Sequence, residues 1–147
     1  TINTSAFETI LFIISMICVG FIEEVLFRGF LFKAMCRDNV KTAIFVSSIT
    51  FGMGHIVNLL NGSDLFPTLL QICYASAIGF LFTILFYKGK SLLPCVITHA
   101  IVNSLSIFAV NHSSLMHDIT TAAILCIISI TYALWILKKT KLSTKCC

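Results

Sequence analysis

FIEEVLFRGFL, residues Phe21 to Leu31, interrupts an apolar run with three ionisable side chains, Glu23, Glu24 and Arg28. Around it the 147-residue chain is 58% hydrophobic and only 11% charged. That is too little charge to clothe a soluble domain of this length. The composition reads as an integral membrane protein. Ionised groups at bilayer depth cost several kcal/mol unless partnered, so inside a membrane span they mark a functional interior. The question for the rest of the chain is what partners these three residues.

Five apolar segments follow in order: Phe7 to Phe32, Thr42 to Leu60, Leu65 to Tyr87, Leu92 to Val110 and Ile119 to Leu137. About 20 residues suffice for a helix to cross the hydrocarbon core. The alternating polarity of a closed barrel is missing, so the segments are read as helices. Ser5 and Glu8 have the spacing of a capping box at the start of the first. The fold class expected is an all-α, polytopic transmembrane bundle of about five spans, forming a single domain over 1–147. Within it, a catalytic core of about 7–110 is followed by an extra C-terminal span, 117–137, and a basic cytoplasmic tail, 138–147. Two small-residue pairs, Ser48 with Gly52 and Ala75 with Gly79, are each four apart and predict close helix contact.

Basic residues orient the bundle. Lys33, Arg37 and Lys41 separate the first two spans, Lys88 and Lys90 the third and fourth, and Lys138, Lys139, Lys141 and Lys145 follow the fifth. Together they are every Lys and Arg except Arg28. The positive-inside rule places these segments and the C-terminus in the cytoplasm. The N-terminus is then outside. With no basic n-region ahead of the first span, no cleavable signal is read, and a fragment lacking upstream spans is expected. The net charge of +4 is accounted for by this topology, so nucleic acid is not an expected partner. Cys18, Cys73, Cys95 and Cys126 lie inside apolar spans, where thiols behave as small hydrophobes. No disulfide framework is expected.

Depth brings the polar residues together. Glu23 lies ten residues before Lys33, His55 fourteen after Lys41, and His99 and Asn103 nine and thirteen after Lys90. At about 1.5 Å per residue these counts put all four roughly 14–21 Å from the cytoplasmic ends of their spans. Three spans thus place their buried polar chemistry in one layer. Glu24 and Arg28 are four apart and can pair along one helix face, as His99 and Asn103 can project together. Glu23 is turned by about 100° from Glu24. This predicts a division of labour, with Glu24 and Arg28 a supporting ion pair and Glu23 a free base. Such a carboxylate takes a proton from water and returns it to a leaving amine. His55 can orient that water, and His99 and Asn103 can donate hydrogen bonds to a developing oxyanion. The same residues permit a zinc site of Glu23, His55 and His99. The metal-free reading is preferred, because Asn103 and Glu24 then both have a role, and no cofactor is called for.

EEVLFR (Glu23 to Arg28), FGMGH (Phe51 to His55) and HAIVN (His99 to Asn103) fit EExxxR, FxxxH and HxxxN, in this order and on separate spans. In these motifs, over roughly Ile22 to Ile107, the chain resembles the CPBP family of intramembrane proteases. That family includes the type II (Rce1-like) CAAX prenyl endopeptidases, Abi proteins for bacteriocin processing and self-immunity, and lysostaphin-resistance proteins. The resemblance implies that Glu23 and His55 activate water, that His99 and Asn103 form the oxyanion pocket, and that Glu24 and Arg28 support them. It also implies a membrane-bound or lipidated peptide as substrate, cut near its C-terminus. The family is often labelled metalloprotease, although a metal-free glutamate mechanism has been argued for its prenyl-protein members. A non-catalytic immunity or scaffold protein is the alternative. Membrane lipid is the expected surrounding, in the cell membrane of a bacterium.

Overall fold

Ser5 opens the first helix as expected. Its hydroxyl accepts from the Glu8 amide at 3.3 Å, and Glu8 accepts in return from the Ser5 amide at 2.8 Å. The computed structural model describes residues 5–108 and 114–139. Among these there are five helices and no strand, in agreement with an all-α bundle. Helix α1 spans Ala6–Cys36, and its stretch Val25–Phe32 is wound as a π-helix. Helix α2, Val40–Met53, begins at Asn39, whose side-chain oxygen accepts from the amides of Lys41 and Thr42, and continues as a 3-10 turn over Gly54–Leu59. Helix α3 is Leu65–Gly89 and stops at Lys90, which takes the left-handed conformation with φ 56°. Helix α4 is Leu93–Leu105, and α5 is Leu115–Lys139. The last residues of the basic tail, 140–147, and the end of the expected core, 109–110, lie outside the described residues.

One span is corrected. The segment expected from Leu92 to Val110 holds a helix of only 13 residues, closed by a 3-10 turn at Ser106–Phe108. Thirteen α-helical residues rise about 20 Å, and the 3-10 turn adds about 6 Å, short of a hydrocarbon core of about 30 Å over the described residues. The Ser106 hydroxyl donates to the Asn103 carbonyl at 2.6 Å, a local bond of the kind that competes with helix continuation. The other four helices are long and apolar enough to cross a membrane. A second correction concerns sulfur: Cys18, Cys73, Cys95 and Cys126 are free, but Cys36 is disulfide-bonded.

Helix α3 is the axis of the bundle, with α2 on one side and α5 on another, while α4 lies chiefly along α1. Both small-residue pairs sit where α2 meets α3. A Cβ added at Gly52 would come within 2.7 Å of the Ile72 carbonyl oxygen and 2.8 Å of the Ser76 amide nitrogen. Those are backbone atoms, so relief requires the helices to part. Gly52→Ala should therefore lower the unfolding temperature in detergent by the equivalent of about 1–3 kcal/mol. Gly54→Ala is the internal control, since nothing lies within 4 Å of its added Cβ and its backbone is already right-handed. A Gly52→Ala protein that melts no earlier than Gly54→Ala would contradict this close approach.

Candidate active site

Glycine also builds the other half of the bundle. Gly20 is one turn before Glu24 on α1, and a Cβ there would stand 3.1 Å from the Ala100 amide nitrogen and 3.5 Å from His99 Cγ. This bare face lets α4 approach α1 closely enough to set the His99 imidazole over both glutamates. His99 Nδ1 lies 3.0 Å from Glu24 Oε1, and His99 Nε2 lies 3.5 Å from Glu23 Oε2.

The two glutamates differ as their helical angle predicts. The Glu24 side chain is fully buried, whereas that of Glu23 is 31% exposed. Arg28 Nη1 donates to Glu24 Oε1 at 2.8 Å, and Arg28 Nη2 donates to the Gly79 carbonyl of α3 at 3.0 Å. The guanidinium also lies over the Phe51 ring, 4.3 Å from its centroid. At Gly79 an added Cβ would reach Phe51, Ser48 and Arg28 Nη2 within 3.3 Å, so only a bare backbone leaves room for the arginine there. Two buried atoms, Glu24 Oε2 and Arg28 Nε, have no hydrogen-bond partner among the described residues.

The π-helical winding falls on the arginine segment. A π-turn displaces carbonyls from the usual α ladder and is frequent at functional sites. Here the buried Ser47 of α2 donates its hydroxyl to the Phe27 carbonyl at 2.9 Å. The neighbouring helix thus supports the irregular winding.

Phe51 is the residue common to every part of the site. Its ring meets His99 edge-on at 5.4 Å, Phe27 at 5.4 Å and His55 at 6.0 Å. His55 stands at the start of the 3-10 turn, partly buried. Asn103 is one turn beyond His99 and partly buried. Neither the His55 ring nor the Asn103 amide has a hydrogen-bond partner among the described residues. The structure thus joins Glu23, Glu24, Arg28 and His99 by direct contact and brings His55 to them through Phe51, whereas no contact joins the Asn103 side chain to them among the described residues. Gly20 and Phe51 were given no role from sequence. Their signals were there: a glycine one turn before Glu24, and an aromatic one turn before His55.

The alternative zinc set does not assemble. Among the described residues no group of three or more His, Cys, Asp or Glu is placed to hold a metal ion. Glu23, His55 and His99 as placed do not fit the ion, and no chemical step is routed through one.

This set of residues lies in a stretch that matches a known family. The model of the family described as Type II CAAX prenyl endopeptidase Rce1-like matches residues 5–105. No curated protein and no solved structure matches the chain. The match covers more than half of the chain and contains all three motifs, so the chain belongs to the Rce1-like family of type II CAAX prenyl endopeptidases, as an integral membrane protein.

Proposed function

We propose that this chain hydrolyses a peptide bond near the C-terminus of a lipidated, CaaX-type peptide, with Glu23 as the base and no metal. The observation that carries the reading is the asymmetry of the two glutamates: Glu24 is closed off with Arg28, while Glu23 stays partly open beside His99. An ionised Glu24 only accepts hydrogen bonds, so it fixes the proton of a neutral His99 on Nδ1. Nε2 is then bare and faces Glu23.

The reaction follows from that proton inventory. Glu23 takes a proton from water oriented between it and His55, and the hydroxide oxygen bonds to the scissile carbonyl carbon. The proton can rest on either side of the gap between Glu23 and His99 Nε2. On Nε2 it makes His99 a donor to the oxyanion, with the amide of Asn103 as the second donor. Preorganised donors of this kind contribute about 2.7–4 kcal/mol each. The C–N bond then breaks, the same proton passes to the leaving amine, and Glu23 is ionised again. Helix α5 packs chiefly on α3, which supports reading the catalytic core as ending before it. The cytoplasmic C-terminus completes the reading, supported by the distribution of lysines at span ends.

The test is direct. The full chain in nanodiscs is incubated with a farnesylated peptide ending in CaaX, and mass spectrometry locates any cut. Cleavage should persist in 1,10-phenanthroline. Inhibition reversed by added zinc would overturn the metal-free mechanism, and an intact peptide would overturn the substrate class.

A further inference from the structure

The site contains one weak joint. Helix α2 ends at Met53, two residues before His55, and the 3-10 turn Gly54–Leu59 that carries His55 buries none of its residues. Gly54 has nothing within 4 Å of where a Cβ would stand. The turn lies against α3, with His55, Asn58 and Leu59 half-buried. His55 meets the site at the edge of the Phe51 ring. Yet a residue that orients water must be held closely, because a displacement of about 1 Å can cost on the order of 100-fold in rate.

The turn has a single side-chain tie to the bundle among the described residues. Asn58 Nδ2 donates to Gln71 Oε1 of α3 at 2.7 Å, in a partly buried position. Asn58 is three residues after His55. A 3-10 helix has three residues per turn, so side chains at i and i+3 eclipse. Holding Asn58 against α3 therefore fixes the azimuth of His55 on the same turn. The Asn58 backbone adds to this, since its carbonyl accepts from the amides of Asn61 at 3.1 Å and Ser63 at 3.0 Å. Asn58 thus ties together the end of the turn, the loop into α3, and α3 itself.

We propose that Asn58 and Gln71 form a clasp that positions the His55 ring for the reaction. Neither residue touches the reacting atoms; they act through His55. The inference rests on the proposed role of His55, and its test separates the two. The chain, labelled with ¹⁵N-histidine in micelles, reports the His55 ring resonances, assigned by their loss in His55→Gln. Asn58→Ala and Gln71→Ala should each shift or broaden the His55 signals and leave those of His99 in place. The exchanged pair Asn58→Gln/Gln71→Asn keeps the total reach of the two amides and should restore them. In cleavage of the farnesylated peptide, each alanine variant should lose roughly 10- to 100-fold in kcat with KM within about twofold, and the exchanged pair should recover most of it. Unchanged His55 signals in both alanine variants overturn the clasp, whatever the activity. Moved signals with unchanged kcat show a tie with no bearing on catalysis, and overturn it as a positioning device. If His55→Gln cleaves like the wild type, the role of His55 falls and the positioning claim with it, while the resonances still decide whether the tie exists.

Discussion

Glu23→Gln is expected to abolish cleavage while leaving the folded protein in the membrane. The change is isosteric and keeps a polar group facing His99 at the 3.5 Å position of Glu23 Oε2. It removes only the capacity to take a proton from water. General-base assistance contributes about 10²- to 10⁴-fold, and loss of the proton's return path to the leaving amine adds to it. Turnover of the farnesylated peptide should fall by at least about 10³-fold. Stability should hardly move, because the side chain is 31% exposed and makes no hydrogen bond among the described residues. Detergent melting curves of the two proteins should superimpose. Cleavage at the wild-type rate by the glutamine variant would end the catalytic reading. It would leave a non-catalytic membrane partner, whose protective effect on its host should survive the same substitution.

Arg28→Met should have the opposite profile, with stability lost first. Both members of the Glu24–Arg28 pair are fully buried. Removing the arginine strands the Glu24 carboxylate, leaves the Gly79 carbonyl without its donor, and takes the cation from the Phe51 ring. Breaking a buried ion pair from one side costs roughly 3–5 kcal/mol, because the remaining charge is uncompensated. The pair itself is no great stabiliser, since one oxygen of Glu24 and the Nε of Arg28 lack partners. The double variant Glu24→Gln/Arg28→Met should therefore melt much closer to the wild type than Arg28→Met alone. It should still cleave poorly, because His99 loses the ionised acceptor that sets its tautomer. A single Arg28→Met protein as stable as the wild type would refute this account of the pair.

The legible part of this protein is the part governed by local periodicity. The spans follow from apolar run length, the Ser5–Glu8 cap and the Glu24–Arg28 contact from helical spacing, and the α2–α3 contact from glycine and serine four apart. Counting residues inward from the lysines predicts one layer for Glu23, His55, His99 and Asn103, and the structure sets His99 against both glutamates and His55 beside Phe51. What stayed hidden depends on contacts between distant segments. The π winding of Val25–Phe32 leans on Ser47, twenty residues away from the carbonyl it satisfies. His99 reaches Glu24 across 75 residues. The short α4 could not be foreseen from an apolar run that continues past it to Val110. Asn58 and Gln71 belong to none of the three motifs, and it is their hydrogen bond that places them together.

The contact between Glu24 and Arg28 joins two residues of one helix, and that bears on how the chain enters its membrane. During synthesis α1 emerges long before α4 exists. Each isolated charge at a helix centre costs roughly 2.5–3.5 kcal/mol to insert. Because Arg28 can fold back on Glu24 within α1, two of its three central charges arrive already neutralised. Only Glu23 waits for His99, which is delivered with the fourth helix. Biogenesis can thus proceed helix by helix, and the carboxylate proposed as the base is the last to find its partner.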